Sequence, residues 1–371
     1  MNNKQTYYRL EKLNDTIPAH YHILLGERSN GKSYAVKERA LIHAWYDPND
    51  KFILLRRWGI EIKASYVEQY FVDAPITAIT NNECNTVVCN GGKIFLAKFE
   101  PDTQKTIRVK HVGYYRDLCG EQHFVSQNFD DVGMVVFEEF ISRDYYLPNE
   151  SVKLQNFIST VARRRVVPVY MIGNTISRVC PYFVDFNLSG VPKQKQGTIE
   201  LYEIHTGEYD DDKNEIIVRI TVEYCENSGK NSKMFFGKPA KMITSGAWQV
   251  KDYPHLPRKL REYSILHELI FIHTGFKFRM FFVQAPDETA LPFWYIEPFT
   301  DNVYNNDKFK NMRFVVHTFS ESLNIQSDMV TIGFKPLTET ERFTFTFLER
   351  FVVSDNLTGS DFETCFNSIN H

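Results

Sequence analysis

Cysteine is scarce in this sequence, and its spacing excludes the usual structural metal sites. Six cysteines are present, and the closest two, Cys84 and Cys89, do not form a Cys-x-x-Cys pair. No Cys/His spacing typical of zinc occurs either. We therefore expect free thiols, as in a reducing cytoplasm.

Long apolar runs are also missing. The N-terminal segment, residues 1–15, is polar and lacks the apolar core of a signal peptide, and no apolar run approaches transmembrane length. We expect a soluble intracellular protein with no membrane partner. The formal net charge is −3, so the chain as a whole does not attract nucleic acid. Any such contact requires a local basic patch.

Residues 26–33 match the pattern G-x-x-x-x-G-K-S of a P-loop. An apolar run (21–25) precedes the match and a helical pattern (33–45) follows it, which is the strand–loop–helix setting that the motif requires. Lys32 would neutralise the β- and γ-phosphates, and the Ser33 hydroxyl would hold Mg²⁺. A glycine-bearing turn without a ligand is the alternative. The residues predicted to bind nucleotide are Gly26, Glu27, Arg28, Ser29, Asn30, Gly31, Lys32 and Ser33.

A second motif is the apolar run 132–137, which is followed by Glu138 and Glu139. Hydrolysis of a nucleotide needs one carboxylate near Mg²⁺ and another to orient the attacking water. Adjacent residues of a strand point to opposite sides, so the two tasks can be divided. We assign Glu138 to the metal and Glu139 to the water. The alternative is that paired acids simply end a buried strand.

Further candidates follow the next two predicted elements. Arg163, Arg164 and Arg165 end a predicted helix, and Asn174 follows a predicted strand. An arginine can neutralise the charge of phosphoryl transfer, and in ring ATPases a neighbouring subunit often supplies it. Cations also stabilise a helix C-terminus. Asn174 suits a sensor of the γ-phosphate, although asparagine is equally common in turns.

The order of predicted elements indicates two domains. Strands and helices alternate up to about residue 187, which predicts a largely parallel α/β sheet with its ligand at the carboxyl ends of the strands. A polar, glycine-bearing segment marks a linker, and antiparallel β runs follow it. We therefore predict an α/β P-loop domain at 1–226, a linker at 227–251 and an α+β domain at 252–371.

The β segments predicted at 86–89, 93–99 and 106–112 form a region rich in lysine and arginine. Such a region is most often a solvated face. The functional alternative is a surface that touches DNA phosphates.

Four segments resemble one family in their order and spacing: GERSNGKS, VVFEEFISRDYYLPNE, STVARRR and GNTISRVCPYF. They are similar to the DNA-packaging ATPases of phi-29-type tailed bacteriophages, over about residues 20–190 and more loosely to the C-terminus. The resemblance implies an ASCE-type P-loop ATPase domain, a small linker and an RNase H-like domain that lacks nuclease activity.

The same resemblance implies ATP and Mg²⁺ as cofactors and a homopentameric ring at the portal vertex of an empty prohead, in the host cytoplasm. There, hydrolysis drives double-stranded DNA inward, and in close relatives a packaging RNA helps to anchor the ring. By motif, it implies that Lys32 and Ser33 are the Walker A residues, Glu139 the catalytic glutamate, Arg163 the arginine finger acting in trans, and Asn174 a coupling residue.

One position departs from the family pattern, because Glu138 stands where an aspartate is usual. The longer side chain favours a contact with Mg²⁺ through water over direct ligation.

Three other functions stay open. A terminase-like motor with an active nuclease needs three or four clustered carboxylates, and the predicted strands after residue 252 offer only Glu268, with Glu297 and Asp301 beyond them. A vestigial fold that binds portal, RNA or DNA is therefore preferred. A P-loop kinase would leave the second domain and the paired acids unexplained. A nucleotide-binding structural protein would not need Glu139.

Overall fold

The computed structural model describes two compact units. The first contains the described residues of Met1–Ile141, Glu150–Thr175 and Phe186–Ala247, and the second those of Ser142–Asn149, Ile176–Asp185 and Trp248–His371. The described residues are 8–10, 19–124, 127–142, 146–163, 165–209, 213–226, 248, 250–273, 276–286, 290–299, 314–317 and 351–369. The predicted linker at 227–251 therefore lies mainly outside them.

Among its described residues, the first unit has nine strands and four α-helices. The strands are β1 (Tyr21–Gly26), β2 (Lys51–Arg56), β3 (Thr86–Asn90), β4 (Lys93–Glu100), β5 (Lys105–Asp117), β6 (Val132–Glu138), β7 (Val169–Asn174), β8 (Thr198–Tyr209) and β9 (Glu215–Tyr224). The helices are α1 (Lys32–Tyr46), α2 (Ala64–Tyr70), α3 (Ile76–Ile79) and α4 (Glu150–Ala162). Short 3-10 turns occur at Gly59–Glu61, Glu121–Phe124 and Val191–Lys193.

These strands form one mixed sheet in the order β3-β4-β5-β2-β6-β7-β1-β9-β8. The six adjacent strands β5-β2-β6-β7-β1-β9 are parallel to one another, whereas β3, β4 and β8 are joined to the sheet by antiparallel pairing. The predicted α/β sheet is confirmed. Strands β1, β2, β6 and β7 are almost wholly buried, as expected of parallel strands covered on both faces.

Helix α1 is anchored by its apolar face. Val36, Ala40, Leu41 and Ala44 are buried in a cluster shared with the strands beneath, including Leu54 of β2. Residues three and four apart lie on the same side of a helix. This packing holds α1 against the sheet, and the first turn of the helix forms the end of the P-loop.

The second unit is smaller. In the part of it that the structure describes, the elements are α5 (Pro181–Asp185), β10 (Ser264–His273), β11 (Phe276–Gln284), β12 (Phe293–Pro298), β13 (Phe314–His317), β14 (Phe351–Val353) and α6 (Asn356–Ile369), with a 3-10 turn at Leu260–Glu262. The five strands follow the order β13-β10-β11-β12-β14. Strands β10 to β12 form an antiparallel meander, and β13 and β14 add parallel edges.

An aromatic cluster holds this unit together. Phe362 of α6 contacts the rings of Phe271, Phe278 and Phe351 with centroids 5.4 to 5.7 Å apart. Val179 belongs to the same buried cluster, which explains why residues 176–185 group with the C-terminal part of the chain. Local sequence patterns did not predict that placement.

All six cysteines are free. Within the described residues, no helix is long and apolar enough to cross a membrane.

Candidate nucleotide-binding and hydrolysis site

The P-loop connects the carboxyl end of β1 to the first turn of α1. Gly26 and Gly31 have φ angles of 152° and 101°, which side chains rarely adopt. A Cβ on Gly26 would also lie 3.3 Å from the Cβ of Cys225. Both glycines are therefore required by the backbone path of the loop.

A cavity of about 730 Å³ opens at this end of the sheet, within the size range of small-molecule sites. It brings together residues that the sequence scatters, because the carboxyl ends of parallel strands meet at one edge. Gly26 and Glu27 do not line it. The lining residues are Arg28, Ser29, Asn30, Gly31, Lys32, Ser33, Tyr34, Asp73, Glu138, Glu139, Ile172, Gly173 and Asn174.

The side chain of Lys32 is bonded to the loop itself. Its Nζ donates to the carbonyl oxygen of Glu27 at 2.7 Å and to Oδ1 of Asn30 at 3.2 Å. Lys32 is only 3% exposed, and burial lowers the pKa of its ammonium group. A phosphate in the cavity would offer this buried cation a stronger, charged acceptor than either of its present partners.

Glu138 is the buried acid of the site. Its Oε2 accepts a hydrogen bond from the Ser33 hydroxyl at 3.1 Å, and its Oε1 accepts one from the Tyr70 hydroxyl at 2.6 Å. Glu138 is 4% exposed, and this burial raises the pKa of its carboxyl, against the lowering effect of the two hydrogen bonds. Tyr70 belongs to no recognised motif, so the sequence did not predict its contact with Glu138.

The paired oxygens of Ser33 and Glu138 fit a magnesium site. A hydroxyl and a carboxylate are hard oxygen ligands of the kind that Mg²⁺ prefers, and Mg²⁺ usually keeps several waters beside one or two carboxylates. Both side chains line the cavity directly beside the P-loop.

Glu139 differs from Glu138 in its exposure and in its partner. Its side chain is 60% exposed and forms an ion pair with Arg56, with 2.8 Å between Oε2 and Nη2. Its φ angle is 57°, so the strand ends in a left-handed turn that aims the two acids in different directions.

A buried ion pair supports this turn. Arg57 contacts Glu150 through Nε at 2.7 Å and Nη2 at 2.9 Å. The same guanidinium donates to the carbonyl oxygens of Phe140 and Glu139 at 2.6 and 3.3 Å. Through Arg57, Glu150 at the start of α4 therefore helps to fix the backbone of Glu139. No local sequence motif predicted this contact.

Asn174 ends β7 beside the P-loop strand, paired in register with Gly26. It lines the cavity. The predicted sensor residue is thus within the site of its own chain.

Arg163 does not line the cavity of its own chain. Its side chain is half exposed, and its contacts with the described part of the chain are long: 3.9 Å to the Asp130 carboxylate and 3.4 Å to the Gln127 carbonyl oxygen.

Arg165 donates instead to the carbonyl oxygens of Phe129, Val132 and Val161, which makes it a structural residue at the end of α4. Arg164 lies outside the described residues.

In the second unit, an arginine lies beside the two glutamates that were considered as nuclease residues, Glu268 and Glu297. Arg279 forms an ion pair with Glu268 on β10 and lies 3.8 Å from Glu297 on β12. Among the described residues, no group of three or more His, Cys, Asp or Glu side chains could hold a metal ion. Asp301 lies outside them.

The family model of the podovirus DNA encapsidation protein (Gp16) matches residues 2–212, more than half of the chain. The chain belongs to this family. It is therefore a viral DNA-packaging ATPase, as the ordered motifs indicated. No curated protein gives a significant sequence match.

Two solved structures share the fold over nearly the whole chain. The phi-28 gp11 DNA packaging motor is 16% identical, with a TM-score of 0.50 and 99% of both chains covered. The bacteriophage phi-29 viral genome packaging motor assembly is 19% identical, with a TM-score of 0.54, 98% of this chain covered and 99% of that chain.

Proposed function

We propose that the cavity binds and hydrolyses ATP, and that a homopentameric ring of the chain couples hydrolysis to the movement of double-stranded DNA into a prohead. The observation that carries the proposal is the meeting of the P-loop, Ser33, Glu138 and Glu139 at one edge of the sheet. A kinase acting on a small substrate would not need the second carboxylate at this position.

Nucleotide binding uses the backbone N–H groups of the loop and the N-terminus of α1, which favour phosphate. Lys32 would leave the Glu27 carbonyl for the β- and γ-phosphates. Ser33 and Glu138 would hold Mg²⁺, Glu138 through water. The ion supplies charge neutralisation to the phosphates when it is bound.

Glu139 is proposed to orient the attacking water. Its carboxylate is exposed and lines the cavity, so it can reach a water there. In doing so it is proposed to exchange its ion pair with Arg56 for a hydrogen bond to that water. Asn174, at the end of β7, is proposed to sense the γ-phosphate and to couple hydrolysis to movement.

Arg163 is proposed to act in trans on the nucleotide of a neighbouring subunit. Its side chain is half exposed, and its contacts with the described residues of its own chain are long, so ring assembly can redirect it at little cost. Arg165 suits this role less well, because its guanidinium donates to the carbonyl oxygens of Phe129, Val132 and Val161.

The C-terminal unit is proposed to be a vestigial RNase H-like domain that contacts the portal, the DNA or a packaging RNA. The pairing of Arg279 with Glu268 supports this view, because the guanidinium would repel a catalytic metal ion. Incubation of the full chain with supercoiled plasmid and Mn²⁺ should leave the plasmid intact. Metal-dependent cutting would establish the terminase-like alternative.

The proposal as a whole is tested by steady-state ATP turnover, measured with and without double-stranded DNA at rising protein concentration. We expect turnover per chain to rise with both, since a finger acting in trans requires neighbours. Lys32→Ala should abolish turnover, whereas Lys51→Ala, which removes an ion pair with Asp131 outside the cavity, should not. Turnover independent of DNA and concentration would contradict the proposal.

A further inference from the structure

Tyr70 connects three elements around the buried acid. Its hydroxyl donates to Oε1 of Glu138 at 2.6 Å, while the Ser33 hydroxyl donates to Oε2 of the same carboxylate at 3.1 Å. The two oxygens of Glu138 are thus held by two donors from different helices, α1 and the end of α2. A carboxylate fixed at both oxygens cannot rotate about its terminal bond.

Tyr70 is itself fixed by α1. The Nζ of Lys37 donates to the Tyr70 carbonyl oxygen at 2.6 Å and lies 4.4 Å from the centroid of its ring. Lys37 follows Ser33 by four residues, which places both side chains on one face of α1. Helix α1 therefore holds Glu138 twice, directly through Ser33 and indirectly through Lys37 and Tyr70.

The contact matters because Glu138 has one more rotatable bond than the aspartate for which it stands. With a single hydrogen bond from Ser33, the longer side chain could present its oxygens in several orientations. Partners that orient a metal-binding carboxylate typically change metal affinity or activity by tenfold or more when removed.

We propose that Tyr70 is a positioning residue that holds the carboxylate of Glu138 in the orientation required for magnesium binding at the nucleotide site. This inference rests on the proposed function, since it assigns Ser33 and Glu138 to Mg²⁺. Tyr70 does not line the cavity. It acts through Glu138, so its removal should change the dependence on Mg²⁺ and leave metal-free nucleotide binding intact.

The test compares the wild type with Tyr70→Phe, which keeps the ring and the backbone carbonyl and removes only the hydroxyl. Binding of a fluorescent ADP analogue is titrated in EDTA and then with Mg²⁺, and ATP turnover is measured against free Mg²⁺. For Tyr70→Phe we expect the Mg²⁺ concentration at half-saturation to rise about tenfold in both titrations. Its affinity for the analogue in EDTA should equal that of the wild type.

Tyr114→Phe is the matched control. The Tyr114 hydroxyl also donates to a carboxylate, that of Asp131 at 3.1 Å, but Tyr114 does not line the cavity. It should leave both Mg²⁺ titrations unchanged. Lys37 also pairs with Asp73, a carboxylate that lines the cavity, so a second variant combines Lys37→Met with Asp73→Asn. It keeps the Tyr70 hydroxyl and loosens its support, and it should shift the Mg²⁺ dependence in the same direction relative to Asp73→Asn alone. It decides the matter if Tyr70→Phe does not fold.

An unchanged Mg²⁺ dependence in Tyr70→Phe would overturn the inference, as would an equal loss of affinity in EDTA, which indicates a structural role only. A wild type whose nucleotide binding ignores Mg²⁺ would overturn the proposed metal site itself. The two failures are therefore distinguishable.

Discussion

Arg56 and Glu139 lie 83 positions apart in the sequence and are joined by an ion pair of 2.8 Å at the ends of the neighbouring strands β2 and β6. The carboxylate that is proposed to orient water is thus held by a cation of its own chain. We propose that this pair opens when ATP is hydrolysed.

Removal of the cation should release the carboxylate. We expect Arg56→Ala to raise ATP turnover in the absence of DNA by about two- to fivefold, because an exposed pair contributes up to about 1 kcal/mol. Glu139→Gln should instead lower turnover at least about a hundredfold while nucleotide binding is retained. Steady-state phosphate release measures both. A turnover in Arg56→Ala as low as that in Glu139→Gln would show that Arg56 assists catalysis.

The buried pair of Arg57 and Glu150 should dominate the stability of the turn after β6. Their side chains are 6% and 0% exposed, and loss of one partner leaves the other charge buried. Arg57→Ala should therefore lower the free energy of unfolding by about 3–5 kcal/mol. Arg219→Ala is the control, since its pair with Glu203 is exposed on both sides and is worth at most about 1 kcal/mol. Equal losses in urea unfolding would contradict the assignment.

Asp361 should make stability depend on pH. Burial raises the pKa of its carboxyl to about 7, against the lowering effect of Arg178 and with a raising effect of Asp355. Between about pH 4 and 7 the native state therefore holds a proton that the unfolded state has released, so the free energy of unfolding falls as pH rises, at about 1.4 kcal/mol per pH unit.

Asp361→Asn should flatten this dependence, because the amide does not ionise. The exposed change Asp102→Asn should not. Chemical unfolding at several pH values in this window measures the slope. An unchanged slope in Asp361→Asn would show that the carboxyl does not titrate there.

Much of the first unit follows from local patterns. The apolar run at 21–25 is β1, at Tyr21–Gly26, and the helix predicted at 33–45 is α1, at Lys32–Tyr46. The first is a continuous apolar run, as expected of a buried strand, and the second begins at a glycine loop. The strand predicted at 106–112 extends to Asp117. Its second half pairs with β2, but this part contains Gly113 and two tyrosines and shows no clear alternation of apolar and polar residues, so the sequence did not predict it.

The supporting residues of the site could not be predicted in the same way. Tyr70, Arg56 and Arg57 lie 68, 83 and 93 positions from their partners Glu138, Glu139 and Glu150. Their contacts arise from the order of strands in the sheet and from the packing of a short helix. Motifs identify residues that are expected to touch the ligand. The residues that hold those side chains in place are brought near them only by the tertiary fold.

We propose that each active site is shared between two copies of the chain. It is tested most directly by mixing two inactive variants, Glu139→Gln and Arg163→Ala, and measuring DNA-stimulated ATP turnover. In mixed rings, an Arg163→Ala subunit keeps an intact Glu139 and can receive Arg163 from its Glu139→Gln neighbour, so we predict that turnover reappears and peaks near equal proportions. If turnover at every ratio is no more than the sum of the separate variants, the finger does not act in trans and the account is wrong.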